Sequence, residues 1–171
     1  MKTQDYKNSD NISIFSMKEP DIKDVLQIQN ESGLSPWTHL DYAKEIESED
    51  SICTVAKFKE EIIGFAIVKL LVEQDENSAK VYNSSEIYNI AVKNTFQGRG
   101  TGQKIFDKIV SDLRKKNVLD IWLEVRESNT KALRFYQKNG FSKEFIRKNY
   151  YSQPLENAHI LKLSLNYEDQ I

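Results

Sequence analysis

Residues 97–104 read QGRGTGQK, so Gly98, Gly100 and Gly102 fall within five positions of a chain that has only six glycines. The apolar run EIYNIAV (86–92) ends just ahead of this stretch. KIFDKIVSDL (104–113) begins at its end, with Ile105, Phe106, Ile109, Val110 and Leu113 on one helical face. A strand, a glycine turn and a helix in that order restrict the fold to an α/β unit whose turn presents unpaired N–H groups at the positive end of a helix. A tight connection alone needs one or two glycines. Three at alternate positions point to an anion, and to a phosphate in particular. The P-loop spacing fails, because Gln103 separates Gly102 from Lys104 and Ile105 stands where a hydroxyl is needed. The dinucleotide fingerprint fails as well, its third glycine coming one residue early. The turn is therefore an anion cradle of another kind.

A chain of 171 residues is expected to form one domain that buries roughly two-thirds of its unfolded surface. Residues 1–11 read as a polar, mobile extension, 12–166 as the domain and 167–171 as a tail. The formal net charge of −2 argues against a general nucleic-acid coat. No apolar run approaches the roughly twenty residues that span a bilayer, and no signal-peptide core is present, so no membrane partner and a cytoplasmic setting are expected. A single cysteine, Cys53, excludes an internal disulfide; within the alternating SICTVAKF it reads as a small core residue. His39 and His159 have no partners at ligand spacing, so no metal site is expected. The acidic run EIESED (45–50) reads as a solvated face, with attraction of a basic substrate as the alternative.

The periodicities predict strands over 12–17, 52–58 and 62–72, and helices opening at Glu19-Pro20-Asp21 and around Tyr42 and Ile46. Residues 73–85 read as a long hairpin loop that can include strand extensions, and Glu86–Val92 as the strand feeding the turn. Leu119–Val125 is a strand rich in branched and aromatic residues. Asn129 is placed to cap a helix ending at Gly140, and two more strands are expected near 141–147 and 158–165. The pattern is an α/β fold with a mixed central sheet of about six to seven strands flanked by helices on both faces.

Three stretches, IYNIAVKNTFQGRGTGQ (87–103), IWLEVRESNTKALRFYQKNGF (121–141) and IRKNYY (146–151), together resemble the GCN5-related N-acetyltransferase (GNAT) superfamily. Its acetyl-CoA turn is Q/R-x-x-G-x-G/A, matched by Gln97, Gly100 and Gly102. Within it, the chain looks like the RimI-type ribosomal-protein-alanine N-acetyltransferases, with SPW (35–37) matching a substrate loop. The resemblance implies that acetyl-CoA is bound by Gln97, Gly98, Arg99, Gly100, Thr101, Gly102 and Gln103 at its pyrophosphate. It implies further that Ile90, Ala91 and Val92 pair with the pantetheine arm and that Asn129 contacts the cofactor further along. For Asn129 the sequence supports a plain N-cap equally well. The implied partner is the N-terminal peptide of a protein, in this family a small-subunit ribosomal protein beginning with alanine. Trp37, Tyr150 and Tyr151 match positions lining the peptide channel.

Acetyl transfer to an amine needs a neutral nucleophile and a proton for the departing thiolate. An α-amine has a pKa near 8, against about 10.4 for a lysine side chain, so a modest base suffices for an N-terminus. Glu124 matches the family's general base, acting directly or through water, and Tyr136 its general acid. Read without the resemblance, Glu124 could be half of an ion pair with Arg126 or across strands, and Tyr136 an amphipathic core residue beside Ala132 and Leu133. A lysine or small-amine acceptor, or a non-catalytic acetyl-CoA-binding module, also remains open. One departure stands near the implied channel: the family's acidic-acidic-alanine segment is Glu156-Asn157-Ala158 here.

Overall fold

A computed structural model describes residues 11–73 and 81–165; the expectations for residues 1–10, for 74–80 of the long loop and for the tail lie outside them. Among the described residues seven strands form one mixed sheet, in the order β1-β2-β3-β4-β5-β7-β6, accompanied by four α-helices. These are β1 (Ile12–Ser16), α1 (Ile22–Ser32), α2 (His39–Glu47), β2 (Ser51–Phe58), β3 (Glu61–Glu73), β4 (Val81–Val92), α3 (Thr101–Lys115), β5 (Asp120–Arg126), α4 (Thr130–Lys138), β6 (Ser142–Ser152) and β7 (Leu155–Ser164). They are organised as two compact units, Met1–Lys69 with Asn89–Asp112, and Leu70–Tyr88 with Leu113–Ile171. The long elements β3, β4 and α3 contribute to both.

In the first unit, β1, β2 and β3 form an antiparallel meander. A single 3-10 turn at Glu19–Asp21 opens α1, with the Asp21 carboxylate accepting from the Lys18 N–H at 2.9 Å. Gly33 at φ 64° ends the helix, a left-handed conformation that other residues adopt only at a cost. Thr38 and Asp41 cap α2 reciprocally, which satisfies two of the N–H groups a helix start leaves open. The apolar faces of α1 and α2 meet the strands in a core of Ile22, Val25, Ile28, Tyr42, Val55, Phe65 and Ile67. Gln29 is a buried polar residue with partners of its own: its amide donates to the Trp37 carbonyl and accepts from the Trp37 N–H and the Tyr42 hydroxyl.

The second unit is built on β5, whose alternation is complete: Ile121, Leu123 and Val125 are buried, while Trp122, Glu124 and Arg126 point to the other face. β5 pairs parallel with β4 over four rungs, Ser84–Ile87 with Asp120–Leu123, and antiparallel with β7, which in turn pairs with β6. Several strand boundaries differ from the sequence reading, β7 among them, which begins at Leu155 rather than 158. β4 begins at Val81 rather than Glu86, since Ser84 and Ser85 enter the parallel ladder and Leu119 N–H donates to the Asn83 carbonyl. Weak β propensity is overridden there by tertiary pairing. β6 runs on past Arg147 to Ser152 through an irregularity between Arg147 and Tyr151, where Asn149 takes φ 52°. Among the described residues no helix is long and apolar enough to cross a membrane.

Candidate active site

The glycine turn belongs to the first unit. β4 ends where Lys93 N–H donates to the Ile63 carbonyl at 2.8 Å, and a 3-10 turn, Asn94–Phe96, follows. The Gln97 amide is used inside the loop, donating to the Val92 carbonyl at 2.9 Å and to Asn94 Oδ1 at 3.1 Å. Gly98 and Gly100 sit at φ 73° and 84°, and an added Cβ at either would meet no heavy atom within 4 Å. Backbone conformation, rather than crowding by the protein, is what requires glycine at these two positions. Thr101 is buried, its hydroxyl donating to the Phe96 carbonyl at 3.3 Å, and it starts α3. Lys104 N–H donates to the Gly100 carbonyl at 3.0 Å, so the N–H groups of Thr101 and Gly102 precede the first N–H that donates within the helix. The Arg99 guanidinium lies 5.5 Å from the Phe96 ring centre. One element of this cradle escaped the sequence reading. A Cβ at Gly64 would come within 2.9 Å of the Ala91 carbonyl oxygen and 3.0 Å of Ile105 Cδ1. That glycine lets the end of β4 and the start of α3 close on β3.

The second unit carries both residues matched to proton transfer. Glu124 is the first β5 residue beyond the last β4–β5 rung, Ile87–Leu123. Its carboxylate accepts from Arg147 Nη1 and from the Tyr150 hydroxyl. The Arg147 guanidinium also stacks 4.5 Å from the Tyr150 ring centre. The hydrogen bond to Glu124, then burial, pushes the Tyr150 phenol up to about 12. The ion pair is thus cross-strand with Arg147, and Arg126 is engaged elsewhere, by Glu156 at 3.2 Å and above the Tyr151 ring at 3.9 Å. Tyr136 is buried on α4 between Phe135 and Phe141, at ring-centre distances of 5.5 and 5.3 Å. Burial, then the neighbouring Tyr151, pushes its phenol above the ordinary value of 10, so it keeps its proton at any working pH.

One further residue of this cluster, Glu86, went unnoticed in the sequence. Glu86 lies on the face it shares with Trp122, its rung partner, and hence with Glu124. Burial, then the Glu124 charge, raises its pKa, while Arg147 opposes the rise. Asn157, the departure from the acidic pattern, accepts from the Asn149 N–H and donates to Glu127, both at 3.0 Å. An aspartate could do only the first.

The remaining expected residues divide by unit. Ile90, Ala91 and Val92 form the end of β4 in the first unit, with Ala91 buried. Trp37 packs against the α1–α2 core, 5.2 Å from the Tyr42 ring. Asn129 in the second unit caps α4, its Oδ1 accepting from the Ala132 N–H at 3.1 Å. Burial first, then Glu45, pushes the Cys53 thiol up to about 12, so it is no nucleophile at neutral pH. Among the described residues no His, Cys, Asp and Glu cluster could hold a metal ion.

A mixed sheet whose parallel strand passes through a glycine turn into a 15-residue helix is an α/β architecture that gathers backbone N–H groups at a helix start. Residues 22–141 match the acetyltransferase (GNAT) family, and the chain belongs to it: it is an acetyltransferase. It is similar to the [Ribosomal protein bS18]-alanine N-acetyltransferase of Haemophilus influenzae, 34% identical over 88% of this chain and 97% of that protein. The crystal structure of the ribosomal-protein-S18-alanine N-acetyltransferase from Escherichia coli superposes with a TM-score of 0.78 at 26% identity, covering 94% of this chain and 99% of the other. Ard1 from Thermoplasma volcanium gives a TM-score of 0.74 at 27% identity, over 91% and 99%.

Proposed function

We propose that this protein acetylates the N-terminal α-amine of a protein, with acetyl-CoA as donor and the N-terminal alanine of ribosomal protein bS18 as acceptor, in the cytoplasm. The observation that carries the acceptor is the likeness to the Haemophilus enzyme named for it, which spans nearly the whole of both chains. The donor reading is supported by the turn at Gly98–Gln103, where positive-φ glycines and a helix start aim backbone N–H groups at an anion such as the pyrophosphate. Gln97 and Thr101 brace that turn from within. Ile90, Ala91 and Val92 would lie along the pantetheine arm as an added strand, and the Val92 N–H would polarise the thioester carbonyl. When bound, acetyl-CoA supplies an activated acyl carbon and a thiolate leaving group.

The chain's own groups then manage two protons. Glu124, fixed by Arg147 and Tyr150, takes the proton of the attacking amine directly or through water. Tyr136 keeps its phenol protonated and gives that proton to the thiolate. Trp37, Tyr150 and Tyr151 contribute aromatic surface to peptide recognition, and Asn129 adds its cap-braced amide to cofactor binding.

The test is release of free thiol from acetyl-CoA in the presence of two peptides. One begins with a free alanine followed by basic and aromatic residues. The other has a blocked terminus and an internal lysine. Release with the first alone is expected; release with the second alone would overturn the N-terminal reading in favour of lysine.

A further inference from the structure

We propose that Asn157 is a positioning residue for the reaction: its carboxamide ties the β6 bulge to Glu127 and so holds Arg147 and Tyr150 against the Glu124 carboxylate. The inference rests on the general-base reading of Glu124 and adds to it the residue that fixes that carboxylate's partners.

Three observations within the second unit lead to it. The first is register. Arg147 pairs with Ala158 and Tyr151 with Glu156, so Lys148, Asn149 and Tyr150 all stand opposite Asn157. On a regular strand Arg147 and Tyr150, three positions apart, would point to opposite faces. Here the Arg147 guanidinium lies 4.5 Å from the Tyr150 ring centre and pairs with Glu124. The extra residues of the bulge are what bring the two side chains to one carboxylate.

The second is what holds the bulge. Asn149 takes φ 52°, a left-handed conformation that is costly for a residue with a side chain. Its N–H donates to Asn157 Oδ1 at 3.0 Å, and Asn157 Nδ2 donates to Glu127 Oε2 at 3.0 Å. Glu127 is itself fixed, its other oxygen lying 3.2 Å from His159 Nε2 and its N–H donating to the Asn157 carbonyl at 3.1 Å. The bulge is thus moored through one side chain to the turn that follows β5.

The third is the chemistry of that side chain. The mooring needs an acceptor for the Asn149 N–H and a donor for Glu127 in one short group. A carboxamide has both, an ionised carboxylate lacks the donor, and a leucine lacks both.

The experiment uses the full chain with acetyl-CoA and the alanine peptide. In Asn157→Leu the Asn149 amide should exchange its hydrogen about tenfold faster by NMR, and kcat should fall about tenfold, the scale of one lost hydrogen bond. Acetyl-CoA affinity should not change. The double variant Glu127→Gln/Asn157→Asp exchanges donor for acceptor between the two side chains and should restore both readouts. Ser164→Ala, which removes a hydrogen bond to Asp120 at the far end of β7, should leave kcat as in wild type. The decisive comparison is non-additivity. Added to Glu124→Gln, Asn157→Leu should lower kcat less than twofold further, because the carboxylate it positions is already gone. An equal loss in both backgrounds would overturn the inference, as would unchanged exchange at Asn149, a loss the double variant does not restore, or the same kcat loss in Ser164→Ala. Unchanged turnover in Glu124→Gln alone would instead overturn the general-base reading, and this inference with it.

Discussion

Gly100→Ala tests the cradle, provided it is read beside Gly33→Ala. Both glycines have positive φ, 84° and 64°, and at both an added Cβ meets nothing within 4 Å. Each substitution therefore carries the same kind of penalty, left-handed strain of about 1–2 kcal/mol, with no clash to confuse it. At Gly33, the C-terminal cap of α1, all of that strain is charged to folding. The expected result is a melting temperature lower by roughly 2–4 °C per kcal/mol, the scale for a chain of this size. At Gly100 the new methyl group also projects into the open space that the proposed cradle leaves for phosphate oxygens. If the turn relaxes away from positive φ, the strain reappears when acetyl-CoA binds; if it does not, the methyl obstructs the approach. Either way acetyl-CoA affinity should fall about 5–30-fold, the equivalent of 1–2 kcal/mol, while Gly33→Ala binds normally. Isothermal titration with acetyl-CoA and thermal melts of both variants supply the numbers. Equal affinity in Gly100→Ala and wild type would refute the cradle, and an equal loss in both variants would show that affinity reports only global stability.

Replacing Glu124 by Gln should lower kcat about 10²-fold or more while leaving acetyl-CoA binding intact, the typical scale of acid–base catalysis; single-turnover kinetics with the alanine peptide would measure it. Tyr136→Phe should lower kcat similarly with little change in melting temperature, because both aromatic contacts persist; unchanged turnover would return Tyr136 to a packing role. Thr38→Ala should cost about 1 kcal/mol through loss of the α2 cap, read by chemical denaturation. Glu156 is held below its ordinary 4.5, first by the hydrogen bonds of Ser128 and then by Arg126. The unfolded chain binds that proton more tightly, so the stabilisation is complete above about pH 4.5 and is lost as acid titrates the folded carboxylate. The melting temperature of Glu156→Gln should accordingly fall less steeply than that of wild type below pH 4.5.

What could be read from the sequence was whatever a short window encodes. The turn announced itself through glycine spacing, α3 through the period of Ile105, Phe106, Ile109 and Leu113, and β5 through strict alternation, because each depends on neighbours a few positions apart. The start of β4 could not be read in this way: Asn83, Ser84 and Ser85 look like loop until Asp120 and Ile121 are brought alongside them. The same limit hid the charge arrangement of the candidate site. Glu124 has Arg126 two positions away in sequence, the obvious partner on the same strand face, yet Arg126 goes to Glu156 and Glu124 to Arg147. That exchange follows from antiparallel register: Arg126 and Arg147 both lie opposite Ala158 on β7, so the two guanidiniums compete for one face and divide its carboxylates. Glu86 then reaches this face from a strand that is parallel to β5 and more than thirty residues upstream. A carboxylate's sequence neighbours cannot reveal whether its charge is matched, because the matching cation is chosen by strand pairing. It is that pairing which sets Glu86 on the same face as Glu124, within the attraction of Arg147.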